Sequence, residues 1–219
     1  MTTHAMTPAQ KARATKATKR LRRLGPMMST EKKDWNTPRP LFEALNRRYR
    51  ALSRAGYTLD VAATAKNALC KKFFTKADDS LHVVDWHTNA AFLNMPYGRG
   101  TDGTGAWIDR ARTQVLLGHV RSYLTMLIPA RTDTAAWHDC VMAPLGGPPL
   151  TGPTANLTMD WELQPGRPVR VLTIYGRDGR TEIILLRGRL VFGTGRGGKA
   201  KAGAPFPSAV VTFIRTGQA

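Results

Sequence analysis

The sequence predicts an α/β fold, a sheet with helices in its first part and an antiparallel C-terminal strand at its edge. Two patterns carry this. Up to Trp137, short apolar runs alternate with helical segments; beyond residue 168 the chain reads as strands and tight turns. The length of 219 residues, with 42% hydrophobic content, suits one good-sized domain.

Residues 1–28 read as a basic arm set apart from a domain spanning 29–219. From Lys11 to Arg23 the arm carries seven basic residues and no acid. It is either a solvated chain or an Ala-rich helix that forms along a phosphate backbone. Gly25-Pro26 breaks it before the domain begins.

The domain pattern opens at Asp34-Trp35. Thr37 suits a helix N-cap and Pro38 a first helical position, leading into LFEALNRRYRAL with Leu41, Leu45 and Leu52 on one apolar side. Residues 57–63 form a short buried strand that contains Asp60, and Lys72–Thr75 form a second, followed by Asp78-Asp79. Ala90–Leu93 is a third strand, Trp107–Leu117 a helix, and Tyr123–Ile128 a fourth strand stopped by Pro129. Residues 140–168 hold Gly146-Gly147-Pro148-Pro149, Gly152-Pro153 and Pro165-Gly166 and read as an insertion outside the core. Val169–Tyr175 and Thr181–Phe192 are strands of a hairpin turned at Gly176–Gly179, and Ala209–Ile214 is the last strand.

Charge narrows the function classes. Lys and Arg number 33 against 15 Asp and Glu, a net +18 with a pI near 10.8. Such a field attracts polyanions, nucleic acid first among them. No apolar stretch approaches the roughly 20 residues of a membrane-spanning helix, and no apolar core follows the basic N-terminus as in a secretory signal. Cys70 and Cys140 are few and far apart, which points to a reducing compartment, the cytoplasm, and to no disulfide framework. No metal site is expected: His138-Asp139-Cys140 stands alone, and His82 and His87 lack sequence partners. Gly193–Ala200 mimics a nucleotide phosphate loop, but Ala200 replaces the magnesium-binding hydroxyl and Pro205 and Pro207 forbid the following helix. Its Lys199 and Lys201 belong to a basic loop facing DNA or solvent.

The apolar run Ala90–Leu93 ends in Asn94-Met95-Pro96-Tyr97. This tetrapeptide stands in an ordered series: Asp34-Trp35-Asn36-Thr37-Pro38; Leu59–Ala63 with Asn67; Asp79 and Trp86; the tetrapeptide with Gly98; Trp107; Ile128–Thr134 with Trp137; Gly188–Phe192; and Ala204–Ser208. The series resembles the phage-type DNA N6-adenine methyltransferase family over roughly residues 30–215. It departs at Met95, where proline is usual, and in the length of chain between Trp137 and Gly188. The resemblance implies a Rossmann-like methyltransferase sheet, S-adenosylmethionine as cofactor, DNA as partner and a phage or prophage origin. A non-catalytic DNA-binding chain on a decayed version of the fold is the alternative, with Met95 as its sign.

An exocyclic amine is a poor nucleophile because its lone pair is delocalised into the ring. The resemblance gives Asn94 and the carbonyl of Met95 the task of accepting from its two hydrogens, Tyr97 that of stacking on a flipped base, and Pro96 that of stiffening the turn. Cofactor binding falls to Asp60, at a strand's carboxyl end, to the small Ala62 and Ala63, and to Trp35, Thr37 and Pro38. Asp60 read alone is also a simple exposed acid, and Thr37 a simple cap. Asp78 or Asp79 serves the adenosine, or both are solvated turn acids. Arg99, in the glycine-rich loop Gly98–Gly105, contacts DNA or lies on a mobile connection. Arg131 holds a phosphate or base, or pairs with Asp133.

Overall fold

The structure is a computed structural model that describes residues 35–164, 167–192 and 203–216, except for the side chains of 159–168. The basic arm, Lys199 and Lys201 lie outside the described residues. One mixed sheet organises the rest, with strands β1 (Leu59–Asp60), β2 (Lys72–Phe73), β3 (Thr88–Leu93), β4 (Val120–Pro129), β5 (Ala155–Gln164), β6 (Arg167–Gly176), β7 (Gly179–Leu185) and β8 (Ser208–Arg215). Their order is β2-β1-β3-β4-β8-β7-β6-β5. The first four are parallel, and β8 runs antiparallel to β4 and β7. The architecture is mixed α/β, as the sequence predicts, but richer in strand than its alternation suggests, and the antiparallel C-terminal strand expected at the edge is interior, β8 lying between β4 and β7. Only α1 (Arg39–Arg48) and α2 (Thr104–Leu116) are α-helices among the described residues.

Period-2 alternation sorts the core into two layers. Ala90, Phe92, Tyr123, Leu127, Val210 and Ile214 face Leu41, Phe42, Leu45 and Tyr49 of α1 and its 3-10 extension Tyr49–Ala51. Ala91, Leu93, Leu124, Met126, Val211 and Phe213 face Trp107, Ile108, Ala111 and Val115 of α2. Because both faces are covered, β3, β4 and β8 read as nearly continuous apolar runs. Under α1, Tyr57 Oη donates to Thr125 Oγ1 at 2.7 Å, and Thr125 lies 3.0 Å from the Thr212 hydroxyl, while the buried Tyr123 hydroxyl has no partner among the described residues.

Four local expectations change. Pro38, not Thr37, occupies the N-cap, and its carbonyl accepts from the N–H groups of Leu41 and Phe42; the Thr37 hydroxyl is engaged elsewhere. The helix expected from Trp107 begins at Thr104, where Thr104 N–H donates to the Gly98 carbonyl. The strand expected over Thr181–Phe192 ends at Leu185, and the chain turns away through Gly188 at φ +80°.

The fourth concerns 140–168. This segment is not outside the core: Val141 and Leu145 are fully buried, and Ala155–Gln164 is the edge strand β5, paired with β6. The cause is tertiary. Arg112 on α2 donates to the carbonyls of Cys140, Ala143 and Pro144 at 3.2, 3.2 and 2.6 Å. On the other side Leu145 presses so closely on Gly176 that a Cβ there would collide with the Leu145 backbone.

Candidate active site

Parallel β1 and β3 end side by side, since Leu59 pairs with Ala91 and Asp60 with Phe92; β4 ends next to β3. Their carboxyl ends therefore place Asp60, Asn94 and Arg131 along one edge of the sheet, where ligands bind in open α/β sheets. The segment Trp35–Pro38 is tied to the same edge. Asn67 donates to Asn36 Oδ1 at 2.8 Å and accepts on its own Oδ1 from the Thr64 N–H and hydroxyl.

Asn94 sits at the centre. Its Nδ2 donates to the Trp35 carbonyl at 2.6 Å and to Thr37 Oγ1 at 2.9 Å. A carbonyl can only accept, so this pairing settles which end of the amide is nitrogen. Oδ1 faces the Tyr97 hydroxyl at 2.8 Å, and that hydroxyl also lies 3.0 Å from the Leu127 carbonyl. A phenol has one proton to share between these two acceptors, and Oδ1 has two lone pairs, so Oδ1 keeps acceptor capacity. Burial pushes the Tyr97 phenol well above its ordinary pKa, which keeps it a donor.

The tetrapeptide divides sharply by burial. Met95 is 2% exposed and packs in the α2-side core, Pro96 is exposed, and Tyr97 is half-buried. Around Tyr97 stand three further aromatic rings. Tyr97 meets Phe206 edge-to-face at 5.4 Å and Phe192 at 6.3 Å, while Trp35 meets the same two at 5.5 and 5.2 Å. Phe192 and Phe206 received no role from the sequence. The only trace of one is their place within Gly188–Phe192 and Ala204–Ser208.

Asp60 is buried at 4% exposure, and its Oδ2 accepts from the Leu69 N–H at 3.0 Å. It is therefore not the exposed acid that a bare strand end would leave. Burial raises its pKa to about 6, against the opposing pull of the Leu69 and Ala62 N–H groups. Ala63 is buried beside it in sequence and Ala62 partly so. Burial likewise pushes the Cys70 thiol up to about 12, with the nearby Asp60 charge adding to it.

Asp78 is occupied locally: its Oδ2 accepts from the Thr75 hydroxyl and N–H, bonds that lower its pKa. Asp79 adopts a left-handed conformation, φ +46°, and pairs with His82 Nδ1 at 2.9 Å. His82 Nε2 reaches Asp102 at 3.4 Å, so His82 has partners that sequence spacing did not reveal.

Arg99 and Arg131 are exposed at the edge, and no Arg131–Asp133 ion pair forms among the described residues. The loop after Tyr97 is not a free connection. The Gly98 N–H donates to Thr104 Oγ1 and the Gly103 N–H to the Gly100 carbonyl.

At the opposite end of β3 and β4, Asp85, His87 and His119 bring ligand atoms within 4.8 Å of one another. His87 thus has neighbours, the nearest ring being His119 at 4.6 Å. Arg110 and Gln114 already hold the Asp85 carboxylate at 3.1 and 3.0 Å, so a dication there would face a guanidinium.

A family model described as DNA N-6-adenine-methyltransferase (Dam) matches residues 26–144, more than half of the chain. The chain belongs to that family. The matched stretch includes Trp35–Pro38, Asp60, Asn94–Tyr97 and Arg131 and stops before Phe192 and Phe206. A DNA N-6-adenine-methyltransferase of Escherichia phage T1 is 30% identical to this Dam-family chain over 101 residues, 46% of this chain and 37% of the phage protein. The match thus spans well under half of that relative's length. Among the described residues, no helix of the Dam-family chain is long and apolar enough to cross a membrane.

Proposed function

We propose that this chain methylates the N6 amine of adenine in DNA, with S-adenosylmethionine as methyl donor. The observation that carries the reading is the Asn94 amide, oriented by Trp35 and Thr37 at the carboxyl end of β3 with Oδ1 able to accept. In this reading the target adenine leaves the duplex stack and presents its amine to Asn94 Oδ1 and the Met95 carbonyl. Both acceptors draw the nitrogen toward a tetrahedral, nucleophilic geometry, and the Tyr97 ring stacks on the base. Pro96 stiffens the turn. The proton that the nitrogen sheds passes to solvent.

The residues along the edge fit the cofactor. S-adenosylmethionine supplies an electrophilic methyl group on a sulfonium, attached to an adenosine with several donors of its own. Asp60 offers a buried carboxylate, Ala62 and Ala63 permit close approach, and Trp35, Thr37 and Pro38 would line the pocket from the preceding segment. Asp79, and Asp78 where its turn allows, would serve the adenosine. Arg99 and Arg131, with Lys199, Lys201 and the basic arm, would hold DNA phosphates, which accords with the net +18. The setting would be the cytoplasm of a phage host.

The deciding experiment incubates the protein with DNA and radiolabelled S-adenosylmethionine, then digests the DNA and separates its nucleosides. Label in N6-methyladenine, lost in Asn94→Ala, is the expected result. Label in N4-methylcytosine would reassign the base. DNA binding without label would favour the decayed-fold alternative.

A further inference from the structure

We propose that the hydroxyls of Tyr97 and Thr37 are positioning groups for the Asn94 amide, so that Tyr97 acts through its O–H as well as through its ring. The inference rests on the reading that Asn94 accepts from the target amine. It assigns to Tyr97 a task that stacking does not require.

The terminal torsion of an asparagine is broad and roughly two-fold, so an unrestrained amide does not hold one lone pair on a chosen line. Here every other direction of the amide is spoken for. Both Nδ2 hydrogens are used, on the Trp35 carbonyl at 2.6 Å and on Thr37 Oγ1 at 2.9 Å. A flip would set Oδ1 against the Trp35 carbonyl oxygen, two acceptors with no proton between them. The third restraint is the Tyr97 hydroxyl on Oδ1 at 2.8 Å. It polarises the amide and occupies one lone pair, which leaves the other as the single acceptor direction for an incoming N–H.

The same bond fixes the ring. Tyr97 is anchored at its far end between Asn94 Oδ1 and the Leu127 carbonyl, and Phe206 and Phe192 stand edge-on to it. The hydroxyl bond fixes the long axis of the ring and the edge-on Phe206 and Phe192 restrain its plane, so the stacking surface and the amine acceptor are set relative to each other. Trp35 contributes through its backbone, which leaves Thr37 and Tyr97 as the two restraints that side-chain substitution can remove.

Tyr97→Phe and Thr37→Val each delete one hydroxyl at nearly constant shape. Single-turnover methylation at saturating DNA and S-adenosylmethionine should fall about tenfold in each, the scale of one hydrogen bond lost from the transition state. In Tyr97→Phe the affinities for DNA and cofactor should stay within about twofold, since the ring remains. Thr37→Ser should recover rate relative to Thr37→Val. A Tyr97→Phe protein that turns over at the wild-type rate overturns the inference and leaves the methyltransferase reading intact.

A second readout does not depend on activity. In ¹⁵N-labelled protein the Asn94 side-chain NH2, assigned by its loss in Asn94→Ala, should exchange slowly with solvent in the wild type and faster in both variants. If the wild type methylates no adenine, the functional reading falls, and this exchange alone decides the positioning. Equal exchange in all three proteins overturns it.

Discussion

The Leu69 N–H donates to Asp60 Oδ2 at 3.0 Å, so the carboxylate at the end of β1 is held by a backbone nine residues further on. Burial nevertheless raises the Asp60 pKa to about 6. The folded protein therefore binds this proton more tightly than the unfolded chain does. The stability Asp60 contributes is fully present below about pH 4, is lost as pH rises through about 6, and is level above that. Between pH 4 and 7.5 the unfolding free energy of the wild type should fall, relative to Asp60→Asn, by about 2–3 kcal/mol. Urea midpoints at the two pH values measure this; a constant difference between the proteins would refute it.

Asn94→Ala should slow methyl transfer about a hundredfold, the cost of one of two acceptors in the transition state, and leave cofactor affinity almost unchanged. Asn94→Asp distinguishes the network from the acceptor. The carboxylate keeps an oxygen for the amine but has no hydrogens for the Trp35 carbonyl and Thr37. It should be less stable than the wild type by about 1–3 kcal/mol and slower as well. Denaturation and single-turnover assays on both variants would test the two effects separately.

Met95→Pro would restore the residue usual in the family, and its carbonyl would remain available. The buried Met95 side chain, 2% exposed, would be lost from the core. The variant should therefore lose about 2 kcal/mol of stability while its folded fraction keeps methylating at or above the wild-type rate. Complete inactivity in a folded protein would show that the turn does not tolerate proline.

Arg112→Ala should cost about 2–3 kcal/mol, because three carbonyls of residues 140–144 lose one guanidinium. Arg112→Lys should recover only part of this, since a point ammonium does not reproduce the planar fork. Proteolysis within 140–154 should accelerate in both. Unchanged cleavage there would mean that Leu145 alone holds the segment.

Deleting residues 1–28 removes seven Lys and Arg. Each of these that neutralises a phosphate in the wild-type complex steepens the slope of log affinity against log salt by roughly 0.9 on duplex DNA, so the truncated protein should show a shallower slope. Binding at low salt should weaken, while the rate at saturating DNA holds. Salt titrations of both proteins on one duplex would decide; equal slopes would make the arm a bystander.

The sequence by itself determined what local pattern can carry. Short apolar runs announced β1, β3, β4, β6 and β8, the helical spacing of Leu41 and Leu45 announced α1, and the ordered series of motifs singled out Asn94 through its resemblance to a known family. These signals are legible because strand and helix periods are set by backbone geometry over a few residues. Tertiary structure decided who meets whom. Thr37 reads as a helix cap, yet its hydroxyl serves Asn94, 57 residues away, and the cap passes to Pro38. Phe192 and Phe206 join Trp35 and Tyr97 only because β7 ends early and the chain returns past them to β8. The Gly/Pro-rich stretch looks like a loop by composition, and it is Arg112 and the close approach at Gly176 that bury Leu145. In each case a polar group or apolar surface finds its partner across a long interval of chain. Satisfying that group is a property of the closed fold, and no local window of residues encodes it.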